Sequence, residues 1–264
     1  MTTEATAKKD FFTQNSKESV YSKWDGKNFT CVASPEKKLP DASLNAFEDF
    51  RAQIAGNDFS CIGAKAALNG SFFRIAAYGL MNSTETSTSL GRDLFSFAGE
   101  QKTAASNFAT FVAIFELPKA TTEEMWEIEL WKQLGNLHGI DPHPIWDPSV
   151  GSDPEVADFS FSFAGTGFFI VGLHPQSSRM ARRFSRAAMV FNPHAQFERL
   201  RETDQYERMQ KTIRTRELKL QGSLNPNLSD FGTKSEARQY SGRAVEENWK
   251  CPFHALMQNS KNSK

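Results

Sequence analysis

Five short apolar runs limit the folds open to this chain more than any other feature of its sequence. They are rich in Phe, Val and Ile and are bounded by Gly, Pro or Asn, a pattern typical of β-strands. The run at residues 108–117 is apolar over most of its length, which indicates a strand buried on both faces. We predict strands at residues 72–81, 108–117, 159–164, 168–173 and 187–192. The fold is therefore centred on a sheet.

Helical signals occur between these runs at irregular intervals. Asp41 can cap the first predicted helix, and Thr121 with Glu124 forms a capping box for the second, which we expect to end at Gly135. Because strands and helices interleave without a βαβ rhythm, the sequence predicts an α+β fold. We expect a single domain with a mixed or antiparallel sheet of about five strands and flanking helices. The helices are predicted at residues 41–55, 121–135, 175–186 and 195–220.

Composition limits the class of protein but not its chemistry. Residues 1–23 and 258–264 have few anchoring hydrophobic residues, so we expect flexible tails around one domain at residues 24–257. The 31 basic and 31 acidic residues balance, which argues against nucleic acid or an anionic membrane as a partner. No apolar run approaches the length of about 18 residues that a membrane span needs. Three widely spaced cysteines favour a reducing, cytoplasmic location, and homo-oligomer formation stays open.

A histidine followed by arginines stands at the end of the fourth predicted strand. His174 is followed by Arg179, Arg182 and Arg183. On a helix, positions i, i+3 and i+4 share one face, so the three guanidinium groups can meet one anion. Ser178 can add a donor at the N-terminus of that helix. This pattern predicts an anion site, and a solvated basic helix face is the structural alternative.

A second histidine, His194, closes the next predicted strand. If the two strands are neighbours joined by a crossover, His174 and His194 can face one cavity. Each is a candidate metal ligand, although a hydrogen-bonded structural role is commoner for either residue. Cys61, in a segment of small residues near Lys65, is a third candidate ligand, and a buried inert thiol is its commoner role.

The aromatic content and the turn-rich segments bear on the kind of ligand. The chain has 23 Phe, 5 Trp and 4 Tyr, so flat walls for a planar ligand are available, although an ordinary aromatic core is the commoner explanation. Residues 221–226 and 240–243 have the composition of loops that cover a pocket. Ile170 stands where a dinucleotide fingerprint beginning at Gly165 needs its third glycine, so no nicotinamide or flavin site is predicted.

These segments resemble the YqcI/YcgG family from about residue 59 to residue 253. The resemblance includes Gly-Leu-His-Pro-x-Ser-Ser-Arg-x-Ala-Arg-Arg-Phe and Phe-Asn-Pro-His-x-Gln-Phe-Glu-x-Leu-Arg, each with a strand-end histidine. The matching segments are residues 61–65, 172–184, 191–201, 213–214, 220–222, 235–243 and 251–253. The family is similar to haem-dependent enzymes that hydroxylate a guanidino nitrogen in D-cycloserine and guanitoxin biosynthesis.

The resemblance implies a haem cofactor and oxygen insertion into an N–H bond of an amino-acid-like substrate, for example a guanidine. We expect the axial ligand to be His194, slightly ahead of His174, because Pro193 and the following helix hold it on a rigid element. An external reductase or peroxide would supply the electrons. The expected cofactor contacts are His174, Ser178, Arg179, Arg182, Arg183, His194 and Arg243, with Asn192 and Tyr240 as distal catalytic donors. A non-catalytic haem carrier or sensor, and a plain anion-binding module, are the alternatives.

Overall fold

One open mixed sheet organises the computed structural model, which describes residues 20–253 apart from 58, 71, 104–107, 120–121, 144 and 229–231. The strands are β1 (Ser22–Trp24), β2 (Phe29–Cys31), β3 (Phe73–Leu80), β4 (Thr110–Leu117), β5 (Phe161–Phe163), β6 (Thr166–Leu173) and β7 (Ala187–Pro193). They lie in the order β2-β1-β3-β4-β7-β6-β5. β3 and β4 pair in parallel, and the other neighbours pair antiparallel.

Helices cover both faces of the sheet. They are α1 (Asp41–Ala55), α2 (Ile62–Asn69), α3 (Thr84–Gln101), α4 (Glu123–Ile140), α5 (His194–Glu202), α6 (Gln205–Gln221) and α7 (Ala237–Tyr240). Successive side chains of a strand point to opposite faces, and in β4 Phe111 and Ala113 join the core under α3 and α4, whereas Val112 joins the core under α1. This two-sided burial explains the apolar run that predicted the strand.

Hydrogen-bonding caps and one glycine place the helices on the α3 and α4 face. Ser83 caps α3 and Thr122 caps α4, and each side chain accepts a backbone N–H at 3.1 Å. A Cβ built on Gly172 of β6 would lie 2.7 Å from Leu130 and 2.9 Å from Trp126, so α4 packs closely on β6 because this position has no side chain. Within the described ranges, no helix has the length and apolar character needed to cross a membrane.

The predicted α+β class and a mixed sheet are confirmed, with two strands more than expected. β1 and β2 have three residues each, too few for a recognisable alternation. β1 begins at Ser22, so the sheet includes the end of the segment assigned to an N-terminal tail at residues 1–23. Residues 1–19 and 258–264 lie outside the described part of the chain.

Three helix predictions need correction. Residues 175–186 contain a single 3₁₀ turn at Met180–Arg182, because His174 and Arg183 are joined by a β-bridge that keeps the segment extended. The long helix predicted at residues 195–220 is two helices, since Asp204 adopts a left-handed conformation with φ of 54°. α4 continues past Gly135 to Ile140. It is capped by Thr122, whereas Thr121 lies outside the described residues.

Candidate functional site

A cavity of about 320 Å³ lies on the α1 face of the sheet, beneath α6. Its roof is the inner face of α6, where Tyr206, Met209 and Ile213 recur at helical spacing. Its floor is apolar and is formed by side chains of β4, β6 and β7, which include Val112, Phe169, Val171 and Val190. The volume is near the lower end of the range for small-molecule sites, and the lining suits an apolar ligand.

His194 contributes an imidazole to the wall of this cavity. It is the first residue of α5, and Pro193, with φ of −55°, leads the chain from β7 into the helix. Its Nδ1 lies 2.9 Å from Oγ of Ser160, and its Nε2 lies 3.2 Å from Oε1 of Glu198. Burial lowers the pKa of His194, so the ring is neutral near pH 7.

Ser160 links His194 to a half-buried carboxyl group. Its Oγ also forms a short hydrogen bond with Oε1 of Glu236, another residue of the cavity wall. The hydroxyl of Tyr240 donates to the same oxygen at 2.9 Å and accepts the backbone N–H of Phe161 at 3.1 Å. Burial raises the pKa of Glu236 to about 7. Tyr240, Glu236, Ser160 and His194 therefore form one continuous row of hydrogen bonds that ends at the cavity.

Cys61 and Arg182 also line the cavity, but both have structural partners. The sulfur of Cys61 caps α2 by accepting the backbone N–H of Ala64 at 3.4 Å, and burial raises the pKa of its thiol. Arg182 donates to the carbonyl oxygens of Gly172 and Gln239, both at 3.1 Å. Burial lowers the pKa of Arg182 to about 10, which still leaves it charged at neutral pH. The thiol is therefore neutral, and the guanidinium ties β6 to α7.

Two further arginines bring positive charge to the part of the wall formed by α5 and α6. Arg201 forms a salt bridge with Glu198 and lies 5.2 Å over the ring of Tyr206. Arg214 lines the cavity from α6. Guanidinium groups bind carboxylates through paired N–H donors, so this part of the wall suits the acidic end of a ligand.

His174 does not face the cavity. β6 and β7 are antiparallel, with Phe168 opposite Pro193 and Leu173 opposite Ala188, so the two strands end at opposite edges of the pair. The prediction of a crossover that brings both histidines to one cavity is therefore wrong. At about 3.4 Å per residue along the strands, the two histidines lie roughly 20 Å apart. His174 is fully buried and stacks on Trp126 of α4 at 5.5 Å.

The three predicted anion-binding arginines and Ser178 do not converge on one point. Arg179 forms a buried salt bridge with Glu217 of α6 at 2.8 Å and donates to the carbonyl oxygen of Ser223. Arg183 donates to the carbonyl oxygen of Ser177 at 2.8 Å. The backbone and side chain of Ser178 both donate to Glu123 at 2.9 Å. Without a helix here, the i, i+3 and i+4 argument for a shared arginine face fails.

The remaining predicted site residues differ in their access to the cavity. Asn192 lines it, but its amide is bound within the sheet, where it accepts from Thr110 at 3.0 Å and donates to Phe169 at 3.3 Å. Tyr240 is fully buried and reaches the cavity through Glu236. Arg243 pairs with Glu127 of α4 at 2.9 Å, on the other face of the sheet from the cavity.

Sequence reasoning missed several residues that contribute to the site. Glu198 and Arg201 stand inside the family-like segment at residues 191–201, and Glu236 stands inside the segment at residues 235–243, so the resemblance contained a signal for them. No local pattern marked Ser160, because its role depends on contacts with residues far along the chain.

Comparison with known proteins assigns the chain to a family. A model of the YqcI/YcgG family matches residues 50–254. The chain belongs to this family. "Uncharacterized protein YcgG" of Bacillus subtilis (strain 168) is 30% identical over 234 residues, which cover 84% of this chain and 91% of the relative. "Uncharacterized protein YqcI" of the same organism is 28% identical over 230 residues, with 83% and 90% covered. No solved structure matches the chain.

The YqcI/YcgG match encloses the whole cavity, whose lining residues extend from Phe50 to Gln239. The family expected from the sequence motifs is thus confirmed, and its haem chemistry stays a prediction. In the portion of the chain that the structure describes, no three His, Cys, Asp or Glu side chains are grouped so as to hold a metal ion between them. A haem iron differs from such a site, because the porphyrin supplies its other ligands and the protein contributes one axial side chain.

Proposed function

We propose that the protein is a haem-dependent oxygenase that hydroxylates a nitrogen of an amino-acid-like substrate, with a guanidino compound as the first candidate. One observation carries the proposal. His194 stands on the wall of an apolar cavity as a neutral imidazole whose Nδ1 is held by a buried hydroxyl. Metal-binding histidines have this arrangement, in which the second ring nitrogen is fixed by a hydrogen bond.

The residues around the cavity fit a haem in three respects. His194 Nε2 contacts Glu198, whose side chain is 48% exposed, so this carboxylate can move into solvent and leave the nitrogen to a ligand. The floor of Phe169, Val171 and Val190 is apolar, as a porphyrin face requires. Arg201, after Glu198 has moved into solvent, and Arg214 would meet the acidic propionate groups of the haem, in place of Arg179 and Arg183, the cofactor contacts expected from the sequence.

Haem, when bound, supplies the iron at which dioxygen or peroxide is activated. The chain's own residues would perform the tasks of binding and orientation. Ser160 holds the His194 ring, and the apolar floor with its α6 roof would shield the buried face of a bound ligand from water. Asn192 would have to release Phe169 before it could donate to a bound molecule. Tyr240 would act through Glu236 rather than directly, because it is not part of the cavity wall.

We propose that the electrons come from an external reductase or from peroxide, since no nicotinamide or flavin fingerprint is present in the sequence. We also propose a cytoplasmic location. The described cysteines Cys31, Cys61 and Cys251 are all free thiols, which suits a reducing compartment.

The test is to express the protein with a haem precursor and record its absorption spectrum. We expect a red protein with a Soret band equivalent to one haem per chain. A colourless protein that also fails to bind added haemin would disprove the proposal. Given a haem protein, turnover of arginine or another guanidine with reductant and oxygen supports an enzyme, and its absence with every guanidine tried supports a carrier.

A further inference from the structure

We infer that Glu236 is a positioning residue for His194 and that it acts through Ser160. The inference extends the proposed function, because a fixed imidazole is what an axial ligand needs. It concerns the hydrogen bonds of this chain alone, so it can be tested without any cofactor.

The three side chains come from separate parts of the fold. Ser160 precedes β5, His194 begins α5 and Glu236 precedes α7, so nothing in the local sequence brings them together. Ser160 is fully buried and His194 is 4% exposed. Burying a carboxyl group is costly unless its hydrogen bonds are satisfied. Here Ser160 and Tyr240 both bond to Oε1 of Glu236, and these two bonds hold the carboxyl group in one place.

Donor and acceptor requirements allow the row two directions. In the first direction, the Glu198 carboxylate accepts from Nε2 of His194, which then carries the ring proton. Nδ1 must then accept from Ser160. Because a hydroxyl has a single proton, Ser160 then has none left for Glu236, so this direction requires a protonated carboxyl group on Glu236.

The same contacts also serve the opposite direction. If Nδ1 donates to Ser160 and Ser160 donates to Glu236, the Nε2 lone pair becomes available to a ligand once Glu198 moves away. The ring does not rotate between the two directions, because every heavy-atom contact is kept. Glu236 therefore holds the imidazole in place whichever nitrogen carries the proton, and this is the orienting role that outer residues have at metal sites.

The first experiment uses the haem-free protein labelled with ¹⁵N at histidine. In Ser160→Ala, we expect the Nδ1 resonance of His194 to move to the position of an imidazole nitrogen without a hydrogen bond. Glu236→Ala should also move this resonance in the wild-type background, but not in the Ser160→Ala background, because coupling through Ser160 makes the effects non-additive. If Glu236→Ala does not fold, Glu236→Gln replaces it, since the amide keeps the shape and lacks the acidic proton.

Ser162→Ala is the matched control. Ser162 is as buried as Ser160 and is two residues away, but its hydroxyl accepts the backbone N–H of Asp147 at 3.0 Å. This variant should leave the His194 resonances unchanged. The inference is overturned if His194 Nδ1 is unaffected by Ser160→Ala, or if the effect of Glu236 persists when Ser160 is absent.

A second experiment separates this inference from the proposed function. In haem-loaded protein, Ser160→Ala and Glu236→Ala should each weaken haem binding by about 10- to 100-fold and shift the reduction potential, and the double variant should be no worse than the single ones. If the wild type binds no haem, the proposed function fails while the NMR result still decides the role of Glu236. If haem binds and both variants match the wild type, the positioning role is overturned alone.

Discussion

His174 and His194 each follow a strand of the same antiparallel pair, but the first is enclosed by the α4 layer and the second stands at the cavity. His174 stacks on Trp126, and among the described residues neither of its ring nitrogens has a hydrogen-bond partner. Both ring nitrogens of His194 have partners, and one of them, the exposed Glu198, is displaceable. Similar local sequences thus place one imidazole inside the α4 layer and the other on the wall of the cavity.

The direction of the strands and the alternation of their side chains produce this difference. In β6, Phe169 and Val171 face the cavity and Leu173 faces the α1 core, so His174, the next residue, turns to the α4 face. His194 lies at the other end of the pair and starts a helix that borders the cavity. A strand-end position therefore does not define an environment until the pairing is known.

We expect the largest effects when each histidine is replaced in haem-loaded protein. His194→Ala should abolish the histidine-ligated Soret and electron-spin spectra, and added imidazole should restore them in part, because the cavity left by the side chain admits the free ligand. His174→Phe should leave both spectra unchanged, since Phe preserves the stack on Trp126. The opposite pattern would reverse the assignment of the two sites.

The arginines beside His174 should matter for stability rather than for ligand binding. Arg179→Ala leaves Glu217 buried without its partner, so we expect a loss of about 3 to 5 kcal/mol in the free energy of unfolding, measured by urea denaturation. Arg183→Ala removes a single bond to a carbonyl oxygen and should cost about 1 kcal/mol. Equal losses in the two variants would contradict the structural role of the buried pair.

Acid should destabilise the protein through His174. Burial lowers the pKa of His174 to about 4, whereas an unfolded histidine titrates near 6.5, so between these values the unfolded chain binds more protons. The contribution of neutral His174 to the free energy of unfolding is therefore complete above about pH 6.5. It is lost as the pH falls, by about 3 kcal/mol in total. Between pH 6.5 and 4, the free energy of unfolding of His174→Phe should fall by about 3 kcal/mol less than that of the wild type, measured in denaturant melts. Parallel pH profiles would show that His174 is not buried as described.

Cys61 should give the smallest effect. Its thiol is kept neutral by burial, so it is a poor ligand compared with the His194 imidazole. Cys61→Ser retains an acceptor for the backbone N–H of Ala64, and we expect an unchanged Soret band and a stability change below about 1 kcal/mol. If this variant alone altered the spectra, the iron would be bound by sulfur, and the role given to His194 would be wrong.

The sequence was sufficient where the signal is local. The apolar runs predicted five of the strands, and the helical spacing predicted α1 with its observed bounds at Asp41–Ala55. The 3₁₀ turn at Met180–Arg182 escaped prediction because a β-bridge from His174 to Arg183, a tertiary contact, overrides local helical preference. The break in the long C-terminal helix depends on one residue, Asp204, in a left-handed conformation.

The candidate site was less predictable than the fold. His194 was selected for its rigid setting, and the structure places it at the cavity. Arg179 was selected for its spacing, yet its charge is used by Glu217. A spacing argument cannot identify which charges are already paired inside the protein. The contacts of Ser160 join residues from three distant segments, so no short stretch of sequence contains a pattern that predicts them.

The roof of the cavity is anchored by the buried salt bridge between Glu217 of α6 and Arg179, and the other described residues of this helix are half-buried or exposed. Glu217 is the one buried residue of α6 in the described structure, and Asp204 and Gly222, at its two ends, adopt left-handed conformations with φ of 54° and 74°. Segments that bury little surface can open locally at a lower free energy than global unfolding. The binding and release of a bulky ligand would then depend on local opening of this one helix. The residence time of the ligand and the thermal stability of the protein would therefore be separate properties. Substitutions on the inner face of α6 could change one of them without the other.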